Sequence, residues 1–310
     1  PTSYGSQDPA LKTDLENLVG QVLYNTTGKP LSSVRLQEML ADVDGMIAGL
    51  DEIDAQALEK AAHLKIVARY GVGYNNVDLE AARKQGIIVT NTPGANAVSV
   101  AELTIALILN LLRPVIPAVK LTKTGEWPRF KGYSLEGKTV GLLGLGAIGK
   151  ETARRLIGFG CKILAYDLYP DEKFAAEHGI TLSLLDDILP TADIISLHLP
   201  GTPETKEIVN KNFLGKMKPG AWLVNTARGD LIQETALVKA LEEGHLRGAA
   251  LDVYPHEPPD KNSPLLLMDQ VICTPHMGAH SDSATNAMGR MALAECLAVL
   301  RGEEPKYQVN

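Results

Sequence analysis

Through the first third of the chain, short apolar runs rich in β-formers alternate with segments of helical pattern. The runs fall at 22–24, Gly45–Ala48, 65–68 and 87–90, and helix-like stretches at 33–41 and 55–62 lie between them. That rhythm predicts a parallel sheet with crossover helices. Such a domain usually begins with a strand, yet this chain opens on turn-forming residues and enters a helix near Asp8. A short apolar strand is therefore expected ahead of Pro1. The longest apolar stretch, 103–112, is interrupted by Thr104 and Asn110 and falls well short of the roughly 20 residues a membrane span needs. It reads as the buried part of a helix, Ala97–Leu112. Past Pro114 and Pro117 comes a connection rich in Gly and Lys, and a second alternating series starts at Lys138. Its predicted strands are Thr139–Leu143, Lys162–Tyr166, 193–197, 222–225, 248–251 and Val271–Cys273. Six strands separated by helices meet the requirement of a doubly wound dinucleotide domain. The last helix, 281–300, has no parallel strand to feed, so it is expected to return and complete the first domain.

Length and charge narrow the picture. At roughly 100 to 200 residues per domain, 310 residues predict two domains. They are expected at 1–93 with 283–310, and at 94–282. The net charge of -7 is spread along the chain without a basic stripe, which favours solubility and argues against nucleic acid as a partner. Neither a signal peptide nor a membrane span is indicated. Cys161, Cys273 and Cys296 are far apart with no CxxC, so neither a zinc ribbon nor a disulfide framework is expected, no metal is assigned, and a reducing, cytoplasmic setting suits the thiols.

Candidate chemistry begins at Gly144-Leu145-Gly146-Ala147-Ile148-Gly149, which follows the apolar run 140–143 and opens a helix. Gly144 permits the tight turn, Gly146 lets backbone approach a pyrophosphate, and Gly149 allows the helix to pack closely on the strand. The helix N-terminus offers free N–H groups and positive dipole to phosphates. Tyr166 and Asp167 end the next strand, where an acidic side chain can accept hydrogen bonds from an adenosine ribose and would repel the 2'-phosphate of NADP. No cation follows in Leu168-Tyr169-Pro170, so NAD is the expected cofactor.

Three ionisable residues follow successive strands of the second series: Arg228 in NTARG, Glu257 in YPHEPP and His276 in TPHMG. Open α/β sheets place their sites at such strand ends. With the Gly-rich fingerprint, Pro93-Gly94-Ala95-Asn96, Val100-Ala101-Glu102, Val224-Asn225-Thr226, Ala249-Ala250-Leu251-Asp252-Val253 and Thr274-Pro275-His276, the chain resembles the D-isomer-specific 2-hydroxyacid dehydrogenases over almost its whole length.

That resemblance implies an α/β fold in which a Rossmann dinucleotide-binding domain is joined to a smaller, discontinuous, flavodoxin-like substrate domain, with a cleft between them and a homodimer around the cofactor domain. It implies that His276 exchanges a proton with the substrate oxygen, that Glu257 orients His276, and that Arg228 grips the carboxylate with a forked donor. His198, Leu199, Pro200, Thr205, Thr226, Ala227, Asp252 and Gly278 are implied to lie at the cofactor with the Gly-rich loop. The loop Gly71-Val72-Gly73 resembles the substrate loop, in which open backbone N–H groups bind the carboxylate.

The runs around Arg69 and Arg129 look most like phosphoglycerate dehydrogenases of the family, where cations lie near a substrate phosphate. The segment 47–50 lacks an arginine that many of them place there. The implied order of substrates is 3-phosphoglycerate first, then hydroxypyruvate or glyoxylate. A rival of another class is an NAD-sensing scaffold like the C-terminal-binding corepressors, which share the fold and the trio. Formate dehydrogenase chemistry is disfavoured by Glu257, where an amide would be typical.

Overall fold

Parallel pairing joins every named strand to its neighbours in the computed structural model, which describes residue 1 and residues 3–310. The chain divides into two units, 1–99 with 279–310, and 100–278. These divisions stand at 99/100 and 278/279, against 93/94 and 282/283 expected from the pattern. In chain order the first unit contributes α1 (Ala10–Leu18), α2 (Ser33–Met39), β1 (Gly45–Ala48), α3 (Ala55–Leu58), β2 (Ile66–Arg69), α4 (Leu79–Lys84) and β3 (Ile88–Thr90). Helix α5 (Ala97–Leu112) starts in the first unit and runs on into the second. The second unit continues with α6 (Val115–Lys123), β4 (Thr139–Leu143), α7 (Ala147–Gly158), β5 (Lys162–Tyr166), α8 (Glu172–Glu177), β6 (Thr181–Leu182), α9 (Leu185–Ile188) and β7 (Ile194–Leu197). It ends with α10 (Lys211–Lys216), β8 (Ala221–Asn225), α11 (Glu234–Glu242), β9 (Leu246–Leu251), α12 (Pro264–Leu267) and β10 (Val271–Cys273), after which α13 (Asp282–Leu300) returns to the first unit.

In the first unit the sheet order is β1-β2-β3. This is the part of a flavodoxin-like order in which consecutive strands are neighbours. Residues 22–24, expected as a strand, are irregular instead, and Leu23 is more than half exposed. An apolar run becomes a strand only where a neighbouring edge takes its backbone hydrogen bonds, and sequence pattern does not report that edge. The helix expected over 55–62 stops at Leu58, capped at its start by Asp54, whose carboxylate accepts from the Ala57 N–H. Asp78 caps α4 in the same way. Helix α13 lays Ala292, Cys296 and Val299 against Ile66 and Ala68 of β2. Beyond it the tail comes back along β3: the Val309 N–H donates to the Val89 carbonyl and the Asn91 N–H to the Tyr307 carbonyl. Buried Glu295 holds the turn, because its Oε2 accepts from the Lys306 and Tyr307 N–H groups at 2.9 and 3.0 Å.

In the second unit the order is β10-β9-β8-β7-β4-β5-β6. Residues of each central strand alternate between two buried layers, so no polar face is needed. Leu143, Ile195, Leu197, Leu223, Ala249 and Leu251 pack toward Ile188, Phe213 and Leu237, whereas Val140, Leu142, Ile194, Trp222, Val224 and Ala250 pack toward Ile105, Ile108, Ala153 and Leu156. Two elements of this unit lie outside the sequence pattern. Strand β6 is only two residues long, too short to show alternation. Helix α6 lies in what reads as connection, its Pro117 tolerated because the first turn needs no N–H donor. Among the described residues no single helix is long and apolar enough to cross a membrane.

Glu295→Ala would leave two backbone N–H groups without their acceptor. The expected loss is about 2 kcal/mol of stability, read by urea denaturation, with faster amide exchange at Val89 and Asn91; unchanged stability and exchange would show that the tail is held by other contacts.

Candidate functional site

The order of the second sheet reverses between β7 and β4, and the residues expected to bind the cofactor follow the strands on either side. Gly144, directly after β4, has φ of 102°, and a Cβ there would stand 2.6 Å from the His198 carbonyl oxygen. At Gly149 a Cβ would stand 2.1 Å from the Gly144 carbonyl oxygen, so α7 reaches its seat only with glycine there. Gly146 differs. No atom lies within 4 Å of where its Cβ would be, so its missing side chain keeps open space rather than internal packing. Gly146 is also the N-cap of α7 and supplies no side-chain cap, which leaves N–H groups at the start of Ala147 and Ile148 for an anion. These features fit a dinucleotide pyrophosphate.

Asp167, at the end of β5 beyond Tyr166, binds the same loop. Its Oδ2 accepts from the Leu145 N–H at 2.6 Å and its Oδ1 from the Tyr169 N–H at 2.9 Å. A carboxylate offers about four acceptor positions, so hydroxyl donors of a ribose remain acceptable.

After β7, His198 is buried, with Nε2 3.0 Å from the Ser196 hydroxyl and Nδ1 without a hydrogen-bond partner among the described residues. Burial pulls its protonation down to about 4, so the ring is neutral near pH 7. Leu199 and Pro200 continue from it, and the Thr205 hydroxyl closes the turn by donating to the Pro200 carbonyl at 2.6 Å and accepting from the Thr202 N–H. Thr205 is thus spent within its own turn. After β8, the hydroxyls of Thr226 and Thr104 meet at 2.8 Å, tying the strand end to α5, and the Ala227 N–H donates to Asn225 Oδ1.

Arg228, Glu257 and His276 follow β8, β9 and β10, which are adjacent in the sheet. Adjacent strands lie about 4.8 Å apart, which brings together residues 29 and 19 positions apart in sequence. His276 Nδ1 stands 2.6 Å from Glu257 Oε2, with both side chains about one-third exposed. Glu257 Oε1 accepts from the Tyr254 N–H at 3.1 Å. Burial pushes the Glu257 carboxyl up, but the hydrogen bond and charge of His276, with help from the Tyr254 N–H and Arg228, hold it below its ordinary value. Arg228 donates to the Ala227 carbonyl at 2.6 Å, and its stem lies over Gly201. Burial draws the guanidinium below the usual arginine range while the Glu257 charge acts the other way. Among the described residues no ion pair joins Arg228 to Asp230 or Glu257, so a purely structural pair is not what holds it.

His276 has φ of 49°, a left-handed conformation costing a residue with a side chain roughly 1 to 2 kcal/mol. Such strain persists where surrounding contacts over-determine it. Here they come from Asp252, expected at the cofactor. Its Oδ1 accepts from the Thr274 hydroxyl and the Met277 N–H, and its Oδ2 accepts from the Gly278 N–H. Three of its acceptor positions are thus taken up within the chain. The Tyr254 hydroxyl adds a brace, 3.2 Å from both the Leu251 and Thr274 carbonyls. Sequence reasoning missed both braces, because Asp252 is 22 to 26 residues from its partners and no local signal marks the pairing.

The remaining candidates are elsewhere. In the first unit, Arg69 is buried and donates through Nη1 to the Ala48 and Tyr70 carbonyls and through Nε to Asn76 Oδ1. Two backbone carbonyls and one side-chain amide oxygen thus accept from the fork. Gly71 has φ of 146°, but its N–H points to the Thr92 hydroxyl and the Arg69 carbonyl rather than outward. Val72 and Gly73 are the N–H groups of that loop with no partner among the described residues. Arg129 is exposed, in an irregular segment of the second unit.

A family model, the NAD binding domain of D-isomer specific 2-hydroxyacid dehydrogenases, matches residues 105–278. The chain is 44% identical over 286 residues to a D-3-phosphoglycerate dehydrogenase of Methanocaldococcus jannaschii, covering 90% of this chain and 54% of that one. It therefore spans about half the length of that relative. It is 40% identical over 299 residues to a glyoxylate reductase of Thermofilum pendens, covering 93% and 88%. Among solved structures it resembles the TT0316 protein of Thermus thermophilus, with TM-score 0.85, 36% identity and coverage of 99% and 97%. The apo-structure of D-lactate dehydrogenase from Escherichia coli gives TM-score 0.89 at 27% identity, covering 100% and 98%.

Buried His198 makes stability depend on acid. The unfolded ring takes a proton near pH 6.5 and the folded ring only near 4, so stability is present above 6.5 and is lost as pH falls toward 4, by up to about 3 kcal/mol. Urea unfolding at pH 7.5 and 4.5 should show a smaller acid loss in His198→Asn than in the parent; equal losses would mean that the ring is solvated.

Proposed function

The chain belongs to the D-isomer specific 2-hydroxyacid dehydrogenase family, whose dinucleotide domain takes NAD, and on that premise we propose that it interconverts a D-2-hydroxy acid and its 2-keto acid. The observation that carries this reading is the 2.6 Å contact of His276 Nδ1 with Glu257 Oε2, which follows the strand next to that of Arg228.

In the reductive direction, bound NADH supplies the hydride that adds to C2. The rest falls to side chains of this chain. Glu257, as the anion, accepts a hydrogen bond from the Nδ1–H of the doubly protonated ring, which fixes the ring plane and leaves Nε2–H to give its proton to the substrate oxygen, the ring ending neutral. In the oxidative direction the same nitrogen takes the hydroxyl proton. Arg228 holds the carboxylate through its fork and polarises the neighbouring carbonyl, and its partial burial strengthens both effects. Gly144 to Gly149, Asp167 and the turn 198–205 hold the dinucleotide.

Within this reaction class the substrate is a short, unphosphorylated 2-keto acid such as glyoxylate or hydroxypyruvate. This reverses the order implied by sequence resemblance, because the fork of Arg69 is spent on Ala48, Tyr70 and Asn76 and does not serve a phosphate. Arg129 is the observation that keeps 3-phosphohydroxypyruvate as the second reading.

A second copy of the chain is the expected partner. Val115, Ile116, Val119 and Phe130 are more than two-fifths exposed and Trp127 is 84% exposed, an unusual density of solvent-facing apolar side chains within sixteen residues.

NADH oxidation with glyoxylate, hydroxypyruvate and 3-phosphohydroxypyruvate should give the highest kcat/KM with an unphosphorylated acid; preference for the phosphorylated one would reinstate the other order. His276→Ala and Arg228→Ala should each lose on the order of 10² to 10⁴ in kcat/KM while NADH affinity stays within about threefold. Parent-like turnover in either variant contradicts its role. Sedimentation should give a dimer for the parent and a monomer for Val119→Glu/Trp127→Glu, and a monomeric parent would remove the dimer.

A further inference from the structure

We propose that the ion pair of Lys150 with Asp171 is a second determinant of cofactor choice, in which Asp171 withholds from the ribose 2'-position a cation that α7 would otherwise offer to NADP. The inference rests on the reading of Asp167 as the acceptor of the adenosine ribose hydroxyls.

Two polar rungs join the start of α7 to the loop that follows β5. In the first, Asp167 Oδ2 accepts from the Leu145 N–H at 2.6 Å. In the second, Lys150 Nζ donates to Asp171 Oδ2 at 2.6 Å. The loop 167–171 is thus pinned along the beginning of α7, with the ribose acceptor at one end and a captured ammonium at the other. Lys150 stands one helical turn beyond Gly146, to whose carbonyl its N–H donates at 2.9 Å, so it is about 5.4 Å along the axis from the anion-binding end. Its flexible four-carbon stem can cover such a gap. Sequence reasoning found no cation in 168–170; the fold brings one from 21 residues before Asp171, and brings it already neutralised.

The pair is better held than most on a surface. Asp171 is fixed in place because its Oδ1 caps α8, accepting from the Phe174 N–H at 3.0 Å. Its partner's side chain is only 27% exposed, and the ammonium lies 5.1 Å from the centre of the Phe174 ring. Such anchoring removes much of the ordering cost that makes exposed pairs weak. The hydrogen bond from Lys150, with the cap N–H, holds the Asp171 carboxyl below its ordinary value, so it stays anionic near neutrality. Arg154, one turn further along α7, is engaged too, by Glu151 and by the same ring. NAD presents a hydroxyl, for which Asp167 suffices. NADP presents a phosphate, which meets the Asp167 charge and gains a compensating cation only by breaking the second rung.

The test is a double-mutant cycle on the full chain, with dissociation constants of NADH and NADPH read by isothermal titration. Asp171→Asn keeps a capping oxygen and removes the charge. It should tighten NADPH about tenfold while NADH stays within about twofold, and in the Lys150→Ala background the same change should tighten NADPH less than about threefold. A gain below threefold in Asp171→Asn overturns the proposal. So does a gain of threefold or more that survives Lys150→Ala, because it would mean that removing an anion is enough. Should Asp171→Asn not melt cooperatively, Asp171→Ser, which also caps, carries the same comparison. Parent-like affinities for both dinucleotides in Asp167→Ser would sink the ribose reading, whereas the cycle decides the ion pair.

Discussion

Seven strands hydrogen-bonded in parallel give the second unit one edge at which every strand ends, and its candidate chemistry depends on that edge. Parallel pairing forces each connection to cross back over a face, so successive loops emerge on the same side. Gly144, Asp167, His198, Arg228, Asp252 and His276 each lie within three residues of a strand's last residue. The two apolar layers hold the strands, and alternation of β8 between Leu223 on one face and Trp222 with Val224 on the other fixes its register. A one-residue slip of β8 would exchange those faces and turn Arg228 away from Glu257.

Carboxylates organise the edge by accepting backbone N–H groups. Asp167 holds Leu145 of the Gly-rich loop, Asp252 holds Met277 and Gly278, and Glu257 holds Tyr254 while facing His276. In each case the anion satisfies loop donors that no ladder reaches. Glu257 combines two tasks, since its Oε1 anchors its own loop and its Oε2 orients the imidazole. The neutral ring of His198 contrasts with these anions: the residue lies with its backbone carbonyl against Gly144, and its side chain adds no charge where an anionic cofactor would bind.

Much of this was legible before any coordinates. The two series of strands and helices, the long apolar helix at about Ala97–Leu112, the return of the last helix and the Gly-rich loop all follow from periodicity and from residues with special backbone needs. Failures occurred where pattern carries no information about partners. The run 22–24 looks like a strand but pairs with no neighbour among the described residues; β6 is too short to show a period; α6 was hidden by two prolines.

The sequence by itself determined which local shapes each segment could take and where glycine was needed, because propensity, capping and steric limits act over a few residues. Only the tertiary structure decided which distant groups meet. It turned Arg69 inward to three internal acceptors, closed the Gly71 N–H on Thr92, and gave Asp252 to the His276 bend rather than to open solvent. The physical reason is competition: a buried donor or acceptor goes to whichever partner the packed chain brings within reach, and that choice is set by strand order across scores of residues.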